Sequence, residues 1–220
     1  MRVARRFAEP KLVLASHNPG KLAELRDLLA GQPVEVISSA ALGLAEPIEH
    51  GRSFAANAKI KAHAAAAATG LPALADDSGL VVAGLGGRPG VRSARWAGPE
   101  RDFGRAMARV RDELAARYGS FAAADRRAAF VAALCLAWPD GHEELVHGRV
   151  AGELVDPPRG RGGFGYDPMF QPMGSSQTFG ELPVAAKQAR SHRSLALLRL
   201  LGRCFVLPGG TPLSGRPADR

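Results

Sequence analysis

The chain has 220 residues, a hydrophobic fraction of 46% and a formal net charge of +8. That length and apolar content suit one α/β domain or two small lobes with a sizeable core, and no apolar run is long enough to span a membrane. The basic balance points to nucleic acid or to an anionic small molecule; scattered arginines and only 6% aromatics favour a phosphorylated small molecule over a stable nucleic-acid partner.

Arg2, Arg5 and Arg6 mark residues 1–10 as a basic arm. No apolar stretch follows them to make a signal peptide, so a cytoplasmic protein is expected. Lys11 to Ala15 reads as a strand, and Ser16-His17-Asn18-Pro19-Gly20-Lys21 as a polar loop. Leu22, Leu25, Leu28 and Leu29 then fall at helical spacing, and Gly31 closes that helix. The loop lacks P-loop glycine spacing. Its backbone N–H groups at a helix N-terminus and the Lys21 charge would still attract an anion; the alternative is an ordinary loop with Asn18 as cap.

Val34 to Ile37 alternates as a second strand, and residues 38–51 are irregular. Glu46 and Glu49 lie there, each able to meet a metal or simply to face water. Ser53 caps an alanine-rich helix that runs to about Thr69 and stops at Gly70. Lys59 and Lys61 on it are expected to face solvent, while Asn57 is unusual inside a helix.

Ala73-Leu74-Ala75 reads as a buried strand, and Asp76-Asp77-Ser78-Gly79 as the loop at its C-terminal end. Ligands gather at that edge of open α/β sheets. Adjacent carboxylates invite a divalent cation facing a phosphorylated substrate; the competing reading is a solvated turn. Gly84 to Gly90 is a glycine-rich loop, and residues 99–118 form a charged amphipathic helix. Arg127 to Trp138 and Glu144 to Val150 pair as a hairpin across Pro139 to His142. Gly160 to Phe170 is a second glycine-rich loop. Its Phe164 and Tyr166 either stack on a base or tuck into the core. Ser191 caps a leucine-rich helix over 194–201, and residues 207–220 read as a disordered Pro/Gly tail. Cys135 and Cys204 lie in apolar runs and read as buried, reduced thiols. The expected fold is α/β: an elongated mixed sheet in two lobes with a central substrate cleft and helices packed around it, one domain over residues 11–206.

In this order the motifs resemble the inosine triphosphate pyrophosphatase or Ham1-like family, which acts on non-canonical purine nucleoside triphosphates. The stretches that carry the resemblance are Leu14 to Lys21, Glu49 to Phe54 with Asn57-Ala58, Ala75 to Leu80, Gly86 to Val91 with Ser93-Ala94-Arg95, Gly163 to Pro168, and Ser191-His192-Arg193. Together they span roughly residues 11 to 202. The resemblance implies that Ser16, His17, Asn18, Pro19, Gly20 and Lys21 bind the triphosphate. It implies that Glu49 and Asp77 hold Mg2+, that Asp77 is also the general base, and that Ser78 contacts substrate. Phe164, Gly165, Tyr166, Asp167, Lys187, His192 and Arg193 would form the base and sugar pocket. A homodimer is implied, with hydrolysis of the triphosphate to a monophosphate and pyrophosphate. Ala56 and Ala186 stand where the family often has glutamate. A Maf-like pyrophosphatase of other base preference and a non-catalytic nucleotide- or nucleic-acid-binding protein are the rival readings.

Overall fold

The structure is a computed structural model that describes residues 4–205. Its elements run in the order β1 (Lys11–Leu14), α1 (Pro19–Leu29), β2 (Glu35–Ser38), α2 (Phe54–Thr69), β3 (Ala73–Val82), α3 (Ser93–Trp96), α4 (Phe103–Tyr118), β4 (Arg127–Ala137), β5 (Glu143–Leu154), β6 (Phe170–Pro172), α5 (Val184–Gln188) and α6 (His192–Cys204). The strands form one mixed sheet, ordered β2-β1-β3-β4-β5-β6. β1 runs parallel to β2 and β3, and the rest of the sheet is antiparallel. Leu12, Val13 and Leu14 are covered on both faces, which is why β1 reads as an unbroken apolar run.

The expected break after Ala75 is corrected. Asp76, Asp77 and Ser78 are not a loop; they lie inside β3, which continues to Val82. The cause is remote in sequence. β4 pairs with β3 along its whole length, from Ala73 opposite Ala137 to Val82 opposite Ala128. β1 pairs only with Ala73 and Leu74. Between Leu74 and Leu80, β3 therefore has a backbone partner on one edge and the cleft on the other; at Val81 and Val82 that second edge meets Pro89 and Arg88. Strand alternation puts Asp76 and Ser78 on one face and Asp77 on the opposite face.

Three groups of buried side chains hold this frame. Leu12, Leu14, Leu74, Leu134 and Leu136 pack one face of the sheet against α1 and α6. Val13, Ala73, Ala75, Ala133 and Cys135 pack the other face against Ala58, Ala62, Ala65 and Ala66 of α2. The methyl side chains of α2 let its backbone lie close to the strands. At the far end Leu80, Val82, Phe130 and Phe170 meet Val110 and Leu114 of α4. The two ends form the expected lobes, with the cleft between them.

The helix ends follow the chemistry read from the sequence. Ser53 accepts from the Ala56 N–H, and Gly70 ends α2 with φ 66°. Ser191 caps α6, which is longer than expected, and α3, α5 and β6 are too short to show periodicity. The described part of the basic arm is docked. Phe7 N–H donates to Cys204 O at 2.7 Å, its ring stacks on Phe205, and Trp138 Nε1 donates to Glu9. Both cysteines are buried free thiols, pushed up to about 12 by burial. The tail expected at residues 207–220 lies outside the described residues.

Gly148 of β5 sits directly under the first turn of α6, where an added Cβ would collide with the His192 carbonyl. Gly148→Ala is expected to displace that turn and to destabilise the fold by about 1–3 kcal/mol, the scale of overpacking. Urea unfolding of the variant checks this.

Candidate functional site

A cavity of about 730 Å³ separates the two lobes. Its floor is the unpaired edge of β3, and the N-termini of α1 and α6 reach it from one lobe. At the first of these, Asn18 caps α1 by accepting from the Gly20 N–H at 3.0 Å and the Lys21 N–H at 3.3 Å. Ser16, Asn18 and Lys21 line the cavity. Lys21 Nζ lies 2.8 Å from Asp76 Oδ2. Burial pushes the Lys21 amine down, opposed by Asp76 and reinforced by Lys61 and Arg193. The six-residue loop does not act as one block. His17 turns away, its Nε2 on the Leu44 carbonyl at 2.9 Å, and borders a separate, smaller cavity. Pro19 opens the helix. Gly20 gives room to Phe164, whose ring would lie 3.1 Å from an added Cβ.

The two aspartates have different surroundings. Asp76 is buried between two cations, Lys21 and Arg193 with its Nε at 3.3 Å, and accepts from the Ser78 hydroxyl at 3.0 Å, all on Oδ2. Burial alone would raise its carboxyl, but Lys21 and Arg193 hold it well below the usual range. Asp77 faces α2 and the cavity. Asn57 Nδ2 donates to its Oδ2 at 3.1 Å, while Asn57 Oδ1 accepts from the Gly51 N–H at 2.8 Å. Burial raises the Asp77 carboxyl against the pull of Lys61 and Lys21, with Glu49 and Asp76 adding to the rise.

Lys61 corrects the expectation of a solvated lysine. It is 5% exposed, with Nζ 2.6 Å from Glu49 Oε1 and 3.5 Å from Asp77 Oδ1. Glu49 and Asp77 thus face a common point that already attracts a positive charge. Among the described residues no group of three or more His, Cys, Asp or Glu is placed to hold a metal. A cation at this pair would take its remaining ligands from water and substrate, the usual habit of Mg2+ and unlike a closed structural site. The donor set fits that ion.

The Phe164 to Asp167 loop closes the other end. Asp167 accepts from the Phe164 N–H at 2.7 Å and from Lys187 Nζ at 2.7 Å. Lys187 also lies over the Phe164 ring, 4.4 Å from its centroid. Gly163 and Gly165 have φ 71° and 69°, which glycine adopts without penalty. Tyr166 is packed in the core, its hydroxyl donating to Ser93 O at 2.9 Å, and Phe164 is the half-buried ring at the cavity.

On α6, His192 is buried and stacked on Phe130 at 4.9 Å. Burial and the Arg193 charge keep its imidazole neutral, and Nδ1 has no partner among the described residues. Arg193 binds Asp76, Glu24 and, at 2.9 Å, the Ser78 hydroxyl. Glu24 also accepts from Ser191 Oγ at 2.7 Å.

Three site residues escaped assignment from sequence, Glu24, Asn57 and Lys61, and Asp76 was read only with Asp77 as a carboxylate pair inviting a cation. Helical spacing carried part of the signal. Glu24 is one turn beyond Lys21, and Lys61 is one turn beyond Asn57, so each pair shares a face. Asn57→Ala removes the group that fixes Asp77 and leaves the Gly51 N–H without its acceptor. A loss of about 1–3 kcal/mol in stability is expected, with slower turnover, checked by thermal melts and initial rates.

The Ham1 family model matches residues 12–203. The dITP/XTP pyrophosphatase of Rhodospirillum centenum is 57% identical over 209 residues, covering 94% of this chain and 100% of that relative. That of Rhodopseudomonas palustris is 56% identical over 203 residues, covering 89% and 96%. Among solved structures, a HAM1 protein from Coxiella burnetii superposes with a TM-score of 0.80 at 40% identity, covering 87% of this chain and 96% of that one.

Proposed function

The chain belongs to the Ham1 family, and from that premise we propose that it hydrolyses inosine and xanthine nucleoside triphosphates to the monophosphate and pyrophosphate. The observation that carries this reading is the Asp77 carboxylate. It is held by Asn57 and raised by burial, and it stands with Glu49 at the edge of a nucleotide-sized cavity. The relatives' names as dITP/XTP pyrophosphatases support the substrate class.

Asp77 would act as general base, taking the proton of the water that attacks the α-phosphorus. A carboxylate raised toward neutrality is a better proton acceptor than a free one. Asn57 would hold one Asp77 oxygen so that the other points to the water. Lys21, with Ser16, would bind phosphate oxygens, and Lys61 would neutralise the carboxylate pair between turnovers. Glu49 and Asp77 would hold Mg2+, which when bound supplies positive charge to the phosphates during cleavage. Phe164 would stack on the base. His192, Arg193 and the Lys187–Asp167 pair would define its polar edge.

Among the described residues no helix is long and apolar enough to cross a membrane. A cytoplasmic homodimer is part of the same reading, and light scattering of the purified protein tests the dimer. The function is tested by pyrophosphate release from dITP, XTP, dGTP and dATP, with and without magnesium. Fast release from dITP and XTP, slow release from the other two and none without the metal is expected. Equal rates on all four would overturn the base preference, and no pyrophosphate from any would overturn the activity.

A further inference from the structure

The cations that line the cleft are almost all matched. Lys21 has Asp76, Lys61 has Glu49, Lys187 has Asp167, and Arg193 has Asp76 and Glu24. Arg95 donates to the Glu49 carbonyl at 3.1 Å. Arg101 is the exception. It lines the cleft and is exposed, and its guanidinium has no hydrogen-bond or ion-pair partner among the described residues.

Its backbone is also unusual. Arg101 has φ 55° and is the one non-glycine among the described residues in the left-handed region. A side chain there costs energy that glycine would avoid. The turn that carries it is fixed at both ends. The Arg101 N–H donates to Gly98 O at 3.1 Å and the Asp102 N–H to Ala97 O at 2.9 Å, while Asp102 caps α4. A strained, anchored turn thus presents to the cavity a cation with neither a carboxylate nor a carbonyl partner among the described residues. It does so from the lobe built on α3 and α4, while Lys21 and Arg193 come from the lobe built on α1 and α6.

We propose that Arg101 is a substrate-binding residue that grips a phosphate group of the nucleoside triphosphate from the α3–α4 lobe. This rests on the proposed function and adds a contact to that site. A guanidinium offers a planar fork of donors that matches phosphate oxygens, and phosphate is the one part of the substrate whose charge requires such a partner. Lys21, Lys61, Lys187 and Arg193 would have to share with a carboxylate already in contact, and Arg95 with a carbonyl. Arg101 has no such competitor.

The test is calorimetric binding of the non-hydrolysable α,β-methylene analogue of dITP to the full chain and to Arg101→Ala, Arg101→Gly and Arg101→Lys, with a thermal melt of each. Alanine and glycine should each weaken binding by about fivefold or more, and lysine by less. Arg101→Gly should melt at or above the wild-type temperature, because glycine relieves the strained φ. A residue with a merely structural role would lose binding and stability together. Analogue affinity within about twofold of wild type in both the alanine and glycine variants overturns the inference. So does a glycine variant that loses affinity only alongside a lowered melting temperature. Failure of the wild type to release pyrophosphate from dITP would instead overturn the function, and the Arg101 contact would still be judged on analogue affinity.

Discussion

Asp77→Asn should reduce turnover of dITP by about a hundredfold or more, the scale of losing a positioned general base. The substitution keeps the shape of the side chain and its acceptor for Asn57, so the fold should survive. Under the proposed mechanism two things are lost: the group that would accept the water's proton, and one negative charge of the pair that would attract Mg2+. Affinity for the substrate analogue should fall far less than turnover, because Lys21, Phe164 and the α6 N-terminus are untouched. The Glu49–Lys61 pair also remains, at 2.6 Å. Initial rates and analogue binding measured on the same preparation check this. Turnover near wild type would remove Asp77 from the role of base.

Arg193→Ala should cost stability first. Arg193 is 1% exposed and holds Glu24 and Asp76, which are 6% and 1% exposed. Removing one partner from a buried ion pair leaves uncompensated charge, which costs about 3–5 kcal/mol. Here two carboxylates are left, with Lys21 as the remaining cation for Asp76 and the Ser191 hydroxyl as the donor to Glu24. The urea midpoint should fall accordingly. Selectivity should suffer too. A guanidinium has five N–H groups, and the Asp76, Glu24 and Ser78 contacts engage three nitrogens with one partner each. N–H groups remain for a six-keto oxygen of inosine or xanthine. They would meet the six-amino group of adenine donor to donor, and such mismatches discriminate strongly. The ratio of kcat/KM for dITP over dATP should therefore drop in the variant. If both activities fall together with the ratio unchanged, Arg193 is a structural anchor alone and the six-position is read elsewhere.

Much of the frame was readable from local chemistry. Ser53, Gly70 and Ser191 mark helix ends through backbone N–H and C=O groups they satisfy or free, and that signal is contained in a few residues. The placement of Asp76 and Asp77 was not readable in the same way. Two aspartates and a glycine favour a turn locally, and only a long partner strand more than fifty residues later keeps them extended. The burial of Lys61 is likewise a tertiary fact. A lysine on a helix faces water unless carboxylates stand over it, and Glu49 and Asp77 are brought there by a loop and a strand on either side of α2. His17 shows the converse: the polar run at Ser16 to Lys21 suggests one anion-binding surface, yet the chain's path to Leu44 takes that ring out of the cleft. Of the candidate site, the doublet, the Phe164 loop and the His192-Arg193 pair stood out as residues. Their proposed division into base, anchor and pocket depends on which face of β3 each one meets.

On the proposed mechanism, water attacks the α-phosphorus of an inosine-type triphosphate in this cleft. Hydrolysis of dITP in heavy-oxygen water, with mass analysis of both products, tests it most directly. One heavy oxygen is expected in dIMP and none in the pyrophosphate. Label in pyrophosphate, or release of orthophosphate in its place, would contradict it.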